Sequence, residues 1–316
     1  MCKLNLPNNF SLFSKSLLIA LFYMFVGCSS EDEEDLQAEM PELKIEASIY
    51  SDKIESRYSG SSIKALSFSQ DDSICVFMDG KKLCKWSLKN NKWNPSSNSI
   101  WADTINSHQF DSFYPYNENC TYDSVFSASL VTQNGTFANL NKYDLLVASK
   151  STDYKVSKGI VSFTGENGFK HALSLIRINI VGSGEFANAT INTIKLSSPR
   201  LFSTLIYSFE DNKSQIDTSI DLNELTISPN HQMNGVSKEF FIITTPKSTE
   251  SEIKFTINYS TPLATNVEKV SSLSDHYLKT GFIYQYNIHL KDGNIDIEEP
   301  QITSWEEGNI IEDIYL

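Results

Sequence analysis

Short segments in which apolar and polar residues alternate recur along most of this chain. Residues 42–50 read ELKIEASIY, so that every second side chain from Leu43 to Ile49 is apolar. A period of two is typical of a strand with one buried face. Similar runs follow at spacings of roughly a dozen residues, and no window shows a capped pattern of helical period. The further predicted strands are 73–79, 82–88, 143–148, 158–163, 168–181, 189–196, 201–209, 224–228, 239–245, 252–259, 282–291 and 294–298.

Many short strands without helices predict an all-β fold built from β-sandwiches. Turn residues between the strands agree with this fold class. Asp79-Gly80 is a pair that closes a tight hairpin, and it separates the strands 73–79 and 82–88. Asp292-Gly293 does the same for the last two predicted strands. Neighbouring strands are therefore expected to pair as antiparallel hairpins.

The segment 168–181, GFKHALSLIRINIV, is the strongest strand signal in the chain. Its alternation changes phase near Leu175-Ile176, which predicts a bulge. Because sequential strands usually pair, we expect 189–196 to be its hairpin partner and place a domain boundary near residues 164–168. Gly182-x-Gly184 follows the strand, but no helical pattern comes after it, so it does not predict a phosphate-binding loop. We therefore predict two tandem β-sandwich domains, 41–165 and 166–316.

The first 27 residues have the layout of a secretory signal peptide. Two lysines are their only charges, an apolar core covers residues 17–26, and Gly27 precedes Cys28. A core of about ten residues spans roughly 15 Å as a helix, whereas a bilayer requires about 20 apolar residues. A small residue before cysteine resembles the lipobox of bacterial lipoproteins, although the two residues before Gly27 depart from the usual pattern. We therefore expect removal of residues 1–27 and acylation of Cys28, which anchors the chain in a membrane.

Five successive acids follow the predicted lipid attachment point. They are Glu31, Asp32, Glu33, Glu34 and Asp35. Such a run is usually a solvated, disordered tether, and we assign residues 28–40 to an acidic tether. Directly behind an acylated cysteine, the run also resembles the acidic export signal with which Bacteroides-type bacteria move lipoproteins to the outer face of the outer membrane. We therefore predict that the protein is exposed at the cell surface.

The charge balance disfavours nucleic acid as a partner. The chain has 26 basic and 39 acidic residues, and loss of two lysines with residues 1–27 leaves 24 − 39 = −15. A surface of this sign repels polyanions. The sequence has neither the paired Cys or His spacing of a metal site nor the Gly-x-Ser-x-Gly motif of a serine nucleophile. We therefore expect no metal, no cofactor and no enzymatic activity.

Three cysteines remain after Cys2 and Cys28 are set aside, namely Cys75, Cys84 and Cys120. An odd number does not form a fully paired disulfide framework. A Cys75–Cys84 bridge across the predicted hairpin is one interpretation, and three small buried thiols are the other. The spacing alone does not decide between them.

Aromatic residues are concentrated between residues 90 and 116. Trp93, Trp101, Phe113, Tyr114 and Tyr116 lie here among Asn, Ser and Pro. Aromatic faces stack on sugar rings, so this region supports the hypothesis of a glycan-binding surface. The interpretation that we favour places the same rings in a core between short strands.

An ordered series of short motifs covers nearly the whole chain after the predicted signal peptide. The motifs are Glu46-Ala47-Ser48, Ser56-Arg57 and the segments 72–78, 113–116, 144–148, 169–176, 281–284 and 302–305. In this order they resemble the fimbrillin family of Bacteroides-type lipoproteins. The chain departs from the family where Ser56-Arg57 replaces the frequent Thr-Arg, and where Asp71-Asp72 replaces a frequent Gly-Asp.

The resemblance implies two transthyretin-like β-sandwich domains in a fimbrial subunit, or in a related anchor or tip protein. Shaft subunits of the family lose their first strand to an arginine- or lysine-specific protease, and a strand from a neighbouring subunit then fills the vacated groove. In this chain the processing candidate is Arg57, in the polar connection after the strand 42–50. The donor candidate is the C-terminal segment 294–315 of another copy.

The leading hypothesis is a non-enzymatic structural or adhesive subunit of fimbriae, exported as a lipoprotein to the outer face of the outer membrane. Its expected partners are other fimbrial subunits through strand exchange, the membrane through the lipid on Cys28, and a surface glycan or protein as receptor. The alternative function is a glycan-binding surface lipoprotein that uses Trp93 or Trp101.

Overall fold

Strands make up nearly all of the regular structure, which confirms the all-β prediction. The computed structural model describes residues 40–50, 67–199, 201–210, 213–215, 223–235, 237–291 and 294–305. Within these ranges, helix is limited to one α-helical turn, α1 (Tyr154–Ser157), and to 3-10 turns at Leu130–Thr132, Phe137–Lys142, Gly165–Asn167 and Gly184–Asn188. The strands are β1 (Lys44–Ala47), β2 (Ser73–Met78), β3 (Lys81–Lys89), β4 (Lys92–Pro95), β5 (His108–Tyr114), β6 (Phe126–Ser129), β7 (Leu146–Thr152), β8 (Ile160–Phe163), β9 (Lys170–His171), β10 (Ser174–Gly182), β11 (Thr190–Ser197), β12 (Thr204–Ser208), β13 (Lys213–Gln215), β14 (Glu224–Ile227), β15 (His231–Gln232), β16 (Lys238–Thr244), β17 (Lys247–Ser260), β18 (Val267–Leu278), β19 (Phe282–Lys291), β20 (Asn294–Ile297) and β21 (Gln301–Ser304).

Six antiparallel strands form the first sheet, in the order β4-β3-β2-β5-β7-β9. The hairpin between β2 and β3 turns at Asp79 and Gly80, whose φ angles are both positive at 52° and 74°. This confirms the predicted Asp-Gly hairpin, because a type I′ turn requires positive φ at both central residues. Strand β2 is buried on both faces from Ile74 to Met78. The first sheet is therefore covered by a core on each side.

The first core joins one face of the first sheet to a small parallel sheet of β1 and β8. The alternation of β2 directs Ile74 and Val76 into this core, and Phe163 of β8 meets Phe169 there at a ring distance of 5.8 Å. The buried members of the first core are Leu43, Ile45, Ile74, Val76, Met78, Cys84, Trp86, Trp93, Trp101, Phe110, Leu146, Ala148, Val161, Phe163 and Phe169.

The second core occupies the other face of the first sheet and continues between the sheets of the C-terminal half. One of these sheets has the order β16-β10-β19-β20, with β21 also paired to β19, and the other has the order β14-β11-β17-β18, with β15 paired to β11. Ile178 of β10 and Ile257 of β17 belong to this core together with Phe77 of β2. A three-stranded sheet, β13-β12-β6, adds Phe126 and Leu205 to the same core.

Three predictions about the segment 168–181 are wrong. The segment is not one strand, because β9 pairs with β7 in the first sheet and the chain then enters β10 in another sheet. Strand β10 pairs with β16 without a register shift, so there is no bulge at Leu175-Ile176. Strand β11 is not its partner, since β10 lies between β16 and β19. The phase change lies inside β10, where every residue from Ser174 to Ile180 is buried, so apolar side chains at adjacent positions fill both faces of the strand without a bulge. The domain division at residue 165 stays a prediction.

Candidate functional site: the first strand and its groove

Among the described strands, β1 is the nearest in sequence to the predicted processing site at Arg57. Arg57 itself, like Cys28 and the acids Glu31, Asp32, Glu33, Glu34 and Asp35, lies outside the described residues. In the part of the chain that the structure describes, β1 pairs with β8 alone, in parallel from Lys44 opposite Ile160 to Ala47 opposite Phe163. A short strand with one neighbour is held by few ladder bonds. We therefore take β1 and the groove around it as the candidate functional site.

Backbone hydrogen bonds fix the segment 41–50 on both of its sides. On the side of the loop before β5, the Leu43 N–H donates to the Ser99 carbonyl (2.8 Å), and the Trp101 N–H donates to the Pro41 carbonyl (3.0 Å). The other side of the segment lies against β8 and its flanking residues. There the Lys44 N–H donates to the Gly159 carbonyl (3.2 Å), and the Ser48 N–H donates to the Phe163 carbonyl (3.0 Å). Two further bonds involve Phe169, whose carbonyl accepts from the Tyr50 N–H (2.8 Å) and whose N–H donates to the Ser48 carbonyl (2.9 Å).

Alternate side chains of β1 and the residue before it enter the first core. Leu43 and Ile45 are 1% and 6% exposed, whereas Lys44 and Glu46 are exposed to solvent. Burying an aliphatic side chain of this size contributes roughly 1.5–3 kcal/mol. The indole N–H of Trp93 also donates to the Ala47 carbonyl (3.3 Å). The groove therefore binds this segment through its backbone and through two apolar pockets.

The turn before β8 supplies a carbonyl on which the groove depends. Asp153 accepts a hydrogen bond from the Val156 N–H (2.8 Å) and so caps α1. The chain then passes through Gly159 at a φ of 81° and enters β8. The Gly159 carbonyl accepts from the Lys44 N–H (3.2 Å) and from the indole N–H of Trp101 (3.3 Å). One carbonyl thus connects β1 to a buried ring of the first core.

Removal of the segment 40–50 would turn this groove into an acceptor for another strand. The carbonyls of Ser99, Gly159 and Phe163 would lose donors, and the N–H groups of Trp101 and Phe169 would lose acceptors. Each buried polar group left without a partner costs roughly 1–3 kcal/mol. The two apolar pockets would open at the same time. Binding of an extended segment by backbone bonds and alternate side chains is the chemistry that such a groove offers.

The C-terminal strands are paired within the chain's own sheet. Both β20 and β21 pair antiparallel with β19. After β21, the ring of Trp305 stacks on His171, with centroids 3.9 Å apart and planes at 4°. His171 Nδ1 lies 2.8 Å from Asp144 Oδ1, and both side chains are buried. The predicted donor 294–315 is therefore occupied in its own chain over 294–305, and its remainder lies outside the described residues.

The rings considered for glycan binding are mostly inside the protein. Trp93, Trp101 and Phe113 are 9%, 0% and 0% exposed, while Tyr114 and Tyr116 are half-buried. Trp101 packs edge-on against Phe110 at a ring distance of 5.2 Å. A buried ring presents no face to a sugar. The interpretation that these residues fill a core is confirmed for both tryptophans and Phe113.

Two histidines outside the groove lie close to carboxylates, and His108 also has Asp103 Oδ2 at 3.6 Å from its Nε2. His108 Nδ1 lies 2.6 Å from Asp79 Oδ2, and His289 Nε2 lies 2.9 Å from Glu298 Oε1. Among the residues that the structure describes, no group of three or more His, Cys, Asp or Glu side chains is arranged to hold a metal ion. In those same ranges, no helix is long and apolar enough to cross a membrane.

The sequence also matches a known family over most of its length. The family model described as fimbrillin-like matches residues 62–305, which is more than half of the chain. The chain belongs to the fimbrillin-like family. The matched range of this fimbrillin-like chain begins after Arg57 and β1 and ends at Trp305. It therefore contains the groove residues Ser99, Gly159 and Phe163 but not the strand that fills the groove.

Solved structures share the fimbrillin-like fold of this chain. A candidate cell adhesion protein from Bacteroides ovatus is 14% identical, with a TM-score of 0.61 over 87% of this chain and 99% of that chain. Another from Bacteroides uniformis is 15% identical, with a TM-score of 0.59 over 84% of this chain and 99% of that chain. The tip fimbrial protein Mfa3 from Porphyromonas gingivalis is 9% identical, with a TM-score of 0.47 over 84% of this chain and 100% of that chain. No curated protein sequence matches this chain. Identities this low show the fold alone.

Proposed function

We propose that this protein is a non-enzymatic, surface-anchored subunit of fimbriae with a structural or adhesive role, which joins its neighbours by strand addition. The observation that carries the proposal is β1, a short strand with one neighbour that fills a groove made of backbone partners and apolar pockets. Membership of the fimbrillin-like family supports the fimbrial setting. In this proposal Cys28 carries the lipid, and the acids 31–35 direct the protein to the cell surface.

Cleavage after Arg57 is the proposed trigger for assembly. Arg57 follows Tyr50 by seven residues, so the cut would separate β1 and the lipid anchor from the rest of the chain. A covalent tether gives β1 a high effective concentration at its groove, and the cut removes that advantage. A donor strand from another subunit then competes with β1 for the same backbone groups and pockets.

We propose residues 306–316 of another copy as the donor, in place of the longer segment 294–315 considered from the sequence. Residues 294–305 already contribute β20, β21 and the buried Trp305 to their own chain. The segment 306–316 reads EEGNIIEDIYL, and Ile314 and Leu316 are spaced as Leu43 and Ile45 are in the resident segment. A donor with this spacing supplies two side chains of one strand face to the two pockets.

The test uses purified protein that consists of residues 29–316 and therefore has no lipid attachment site. It asks whether cleavage by a protease causes this protein to polymerise. The chain has three arginines, and Arg177 is buried. In an Arg200→Lys background, Arg57 is therefore the one other arginine at which an arginine-specific protease is expected to cut. We expect native digestion to cut after Arg57 and to produce ladders on gels and fibres in electron micrographs. The matched control is Arg57→Lys in the same background, which keeps the charge but resists this protease and should stay monomeric.

A second control tests the donor strand independently of the cleavage. Deletion of residues 306–316 should leave cleavage after Arg57 unchanged but prevent polymers, because the groove opens without a strand to fill it. A complete cut after Arg57 that leaves the undeleted protein monomeric would contradict assembly by this route. Polymers formed equally by the deletion variant would instead disprove the choice of donor.

A further inference from the structure

Two of the three described cysteines meet in the second core. The Sγ atom of Cys75 on β2 lies 3.5 Å from the Sγ atom of Cys120, although the two residues are 45 positions apart. Cys75 is fully buried and Cys120 is 5% exposed. Both are free thiols in this structure. Two thiols at this distance are positioned to react with each other.

The third cysteine lies on the opposite side of the first sheet. The Sγ atom of Cys84 on β3 lies 3.1 Å from the hydroxyl of Ser99 and belongs to the first core. Cys75 belongs to the second core, because side chains along β2 alternate between the two faces of the sheet. The Cys75–Cys84 bridge considered from the sequence would have to pass through the sheet, so the structure rules it out.

We infer that Cys75 and Cys120 form a disulfide under oxidising conditions, with Cys84 remaining a free thiol. The inference does not depend on the proposed fimbrial function. It assigns a covalent modification to the contact between the first sheet and the connection that leads from β5 to β6.

The surroundings of the two thiols allow the bond to form with a small movement. A disulfide has an S–S distance of about 2.05 Å, so the sulfur atoms must approach by roughly 1.5 Å. Cys75 is held in a central strand that pairs with both β3 and β5. Cys120 lies in an irregular connection, and its neighbours Asn119 and Thr121 are exposed. The movement is therefore expected on the side of Cys120.

The electrostatic environment makes Cys120 the attacking thiol. The hydrogen bond with the Cys75 thiol, followed by the nearby charge of Lys82, lowers the pKa of Cys120 to about 7 despite the opposing effect of burial. The same contact together with burial raises the pKa of Cys75. Lys82 is held in place by donating from its ammonium to the Glu118 carbonyl. The thiolate is the reactive form of cysteine, and Cys120 reaches it near neutral pH.

The reaction is thiol–disulfide exchange with an external disulfide such as oxidised glutathione. The Cys120 thiolate attacks one sulfur of the reagent, releases one glutathione thiolate and leaves a mixed disulfide. Cys75 then loses its proton and attacks the Sγ atom of Cys120, and the second glutathione thiolate leaves. The two protein thiols give up two electrons and two protons, and the disulfide of the reagent becomes two thiols.

The bond would fasten the first sheet to the three-stranded sheet that follows it. Beyond Cys120, the Tyr122 carbonyl accepts from the Phe209 N–H (3.1 Å), and the Val125 N–H donates to the Tyr207 carbonyl (2.9 Å). The connection is therefore already docked beside β12. A disulfide between residues 45 positions apart restricts the conformations of the unfolded chain. We therefore expect the Tm to rise by roughly 5–10 °C on oxidation.

The experiment uses the full chain with Cys2→Ser and Cys28→Ser, oxidised with excess oxidised glutathione. We expect peptide mapping by mass spectrometry to find Cys75 linked to Cys120 and Cys84 still open to alkylation. The matched variants are Cys84→Ser, which should keep the cross-link and the rise in Tm, and Cys120→Ser, which should lose both.

Three outcomes would overturn the inference. They are a cross-link that includes Cys84, full alkylation of Cys75 and Cys120 after oxidation, and a glutathione adduct on Cys120 that never transfers to Cys75. The peptide maps of the parent chain and of Cys84→Ser decide between these outcomes even where Cys120→Ser does not fold.

Discussion

Gly182 and Gly184, which follow β10, are each glycine for a different physical reason. A Cβ atom on Gly182 would lie 2.6 Å from the carbonyl oxygen of Phe186, and that oxygen is backbone. Gly184 has open space around it but adopts a φ of 61° at the start of the 3-10 turn Gly184–Asn188. The first glycine therefore permits a close backbone approach and the second permits a left-handed conformation.

Alanine substitutions should distinguish these two roles. Gly182→Ala should lower the free energy of unfolding by about 2–3 kcal/mol, because the new methyl group forces a backbone shift. Gly184→Ala is the matched control and should lower the free energy of unfolding by about 1 kcal/mol, because a residue with a Cβ is strained at positive φ. Urea unfolding of both variants measures the difference. A loss for Gly182→Ala no larger than that for Gly184→Ala would show that the close approach is relieved at little cost.

The unpaired backbone groups of edge strands are satisfied in different ways in these sheets. The edge of β16 is covered by a side chain, since the Gln133 amide donates to the Ile243 carbonyl (2.7 Å) and accepts from the Ile243 N–H (2.7 Å). The Phe241 N–H on the same strand donates to the Gly135 carbonyl (2.9 Å). Strand β8 is instead covered by β1, which precedes the connection that contains Arg57. A strand is easier to exchange than a side chain fixed within a folded loop, so β1 is the element on which assembly is expected to act.

Local opening of β1 should therefore be separable from global unfolding. In the double variant Leu43→Ser and Ile45→Ser, we expect the amides of Lys44, Ser48 and Tyr50 to exchange with deuterium about 100-fold faster. The lost burial of two aliphatic side chains, at roughly 1.5 kcal/mol each as a lower value, accounts for this factor. Hydrogen exchange followed by mass spectrometry measures the rates.

The matched control changes the exposed face of the same strand. Lys44→Ser with Glu46→Ser should leave the exchange of Ser48 and Tyr50 nearly unchanged, and amides in β10 should keep their protection in both variants. If the apolar double variant exchanged as slowly as the control, or if β10 lost protection equally, β1 would not be a separately opening element.

At the scale of the whole molecule, the net charge and the proposed lipid attachment are expected to set the location of the protein. The chain carries a net charge of −13, and five of its acids follow Cys28 within seven positions. Two or three acyl chains on Cys28 would hold the protein stably at a membrane, since each buried methylene contributes about 0.8 kcal/mol. In this proposal the acids have one of two roles, export of the lipoprotein or solvation of its tether.

The export role predicts a specific phenotype in cells. Replacing Glu31, Asp32, Glu33, Glu34 and Asp35 with the corresponding amides should leave the protein in the membrane fraction but shield it from protease added to whole cells. Cys28→Ala should instead release the protein from membranes, because the acyl chains are lost. Cell fractionation and protease accessibility measure both effects. Surface exposure of the amide variant equal to that of the wild type would leave only the tether interpretation.

Local sequence patterns determined the fold class and several individual elements of this protein. The period of two placed β19 at Phe282–Lys291, the same bounds that the structure shows, and the Asp79-Gly80 pair marked the first hairpin. These features depend on residues that are close in sequence, so the pattern contains the needed information. Strand β18 (Val267–Leu278) was missed because its apolar residues do not alternate with its burial: Lys269 and Ser271 are half-buried, whereas Val270 is exposed. The order of this strand comes from its backbone pairing with β17.

Only the tertiary structure decided which distant residues meet. Strand β10 lies parallel to β19, Cys75 contacts Cys120, and His171 stacks on Trp305, yet none of these pairs is marked by spacing along the chain. Every strand offers the same backbone donors and acceptors, so hydrogen bonding alone does not specify a partner. Partners are selected when apolar faces are buried together in a shared core, and that selection depends on the whole chain. The groove of β1 is therefore a property of the folded molecule, whereas the strand that fills it was already visible in the sequence.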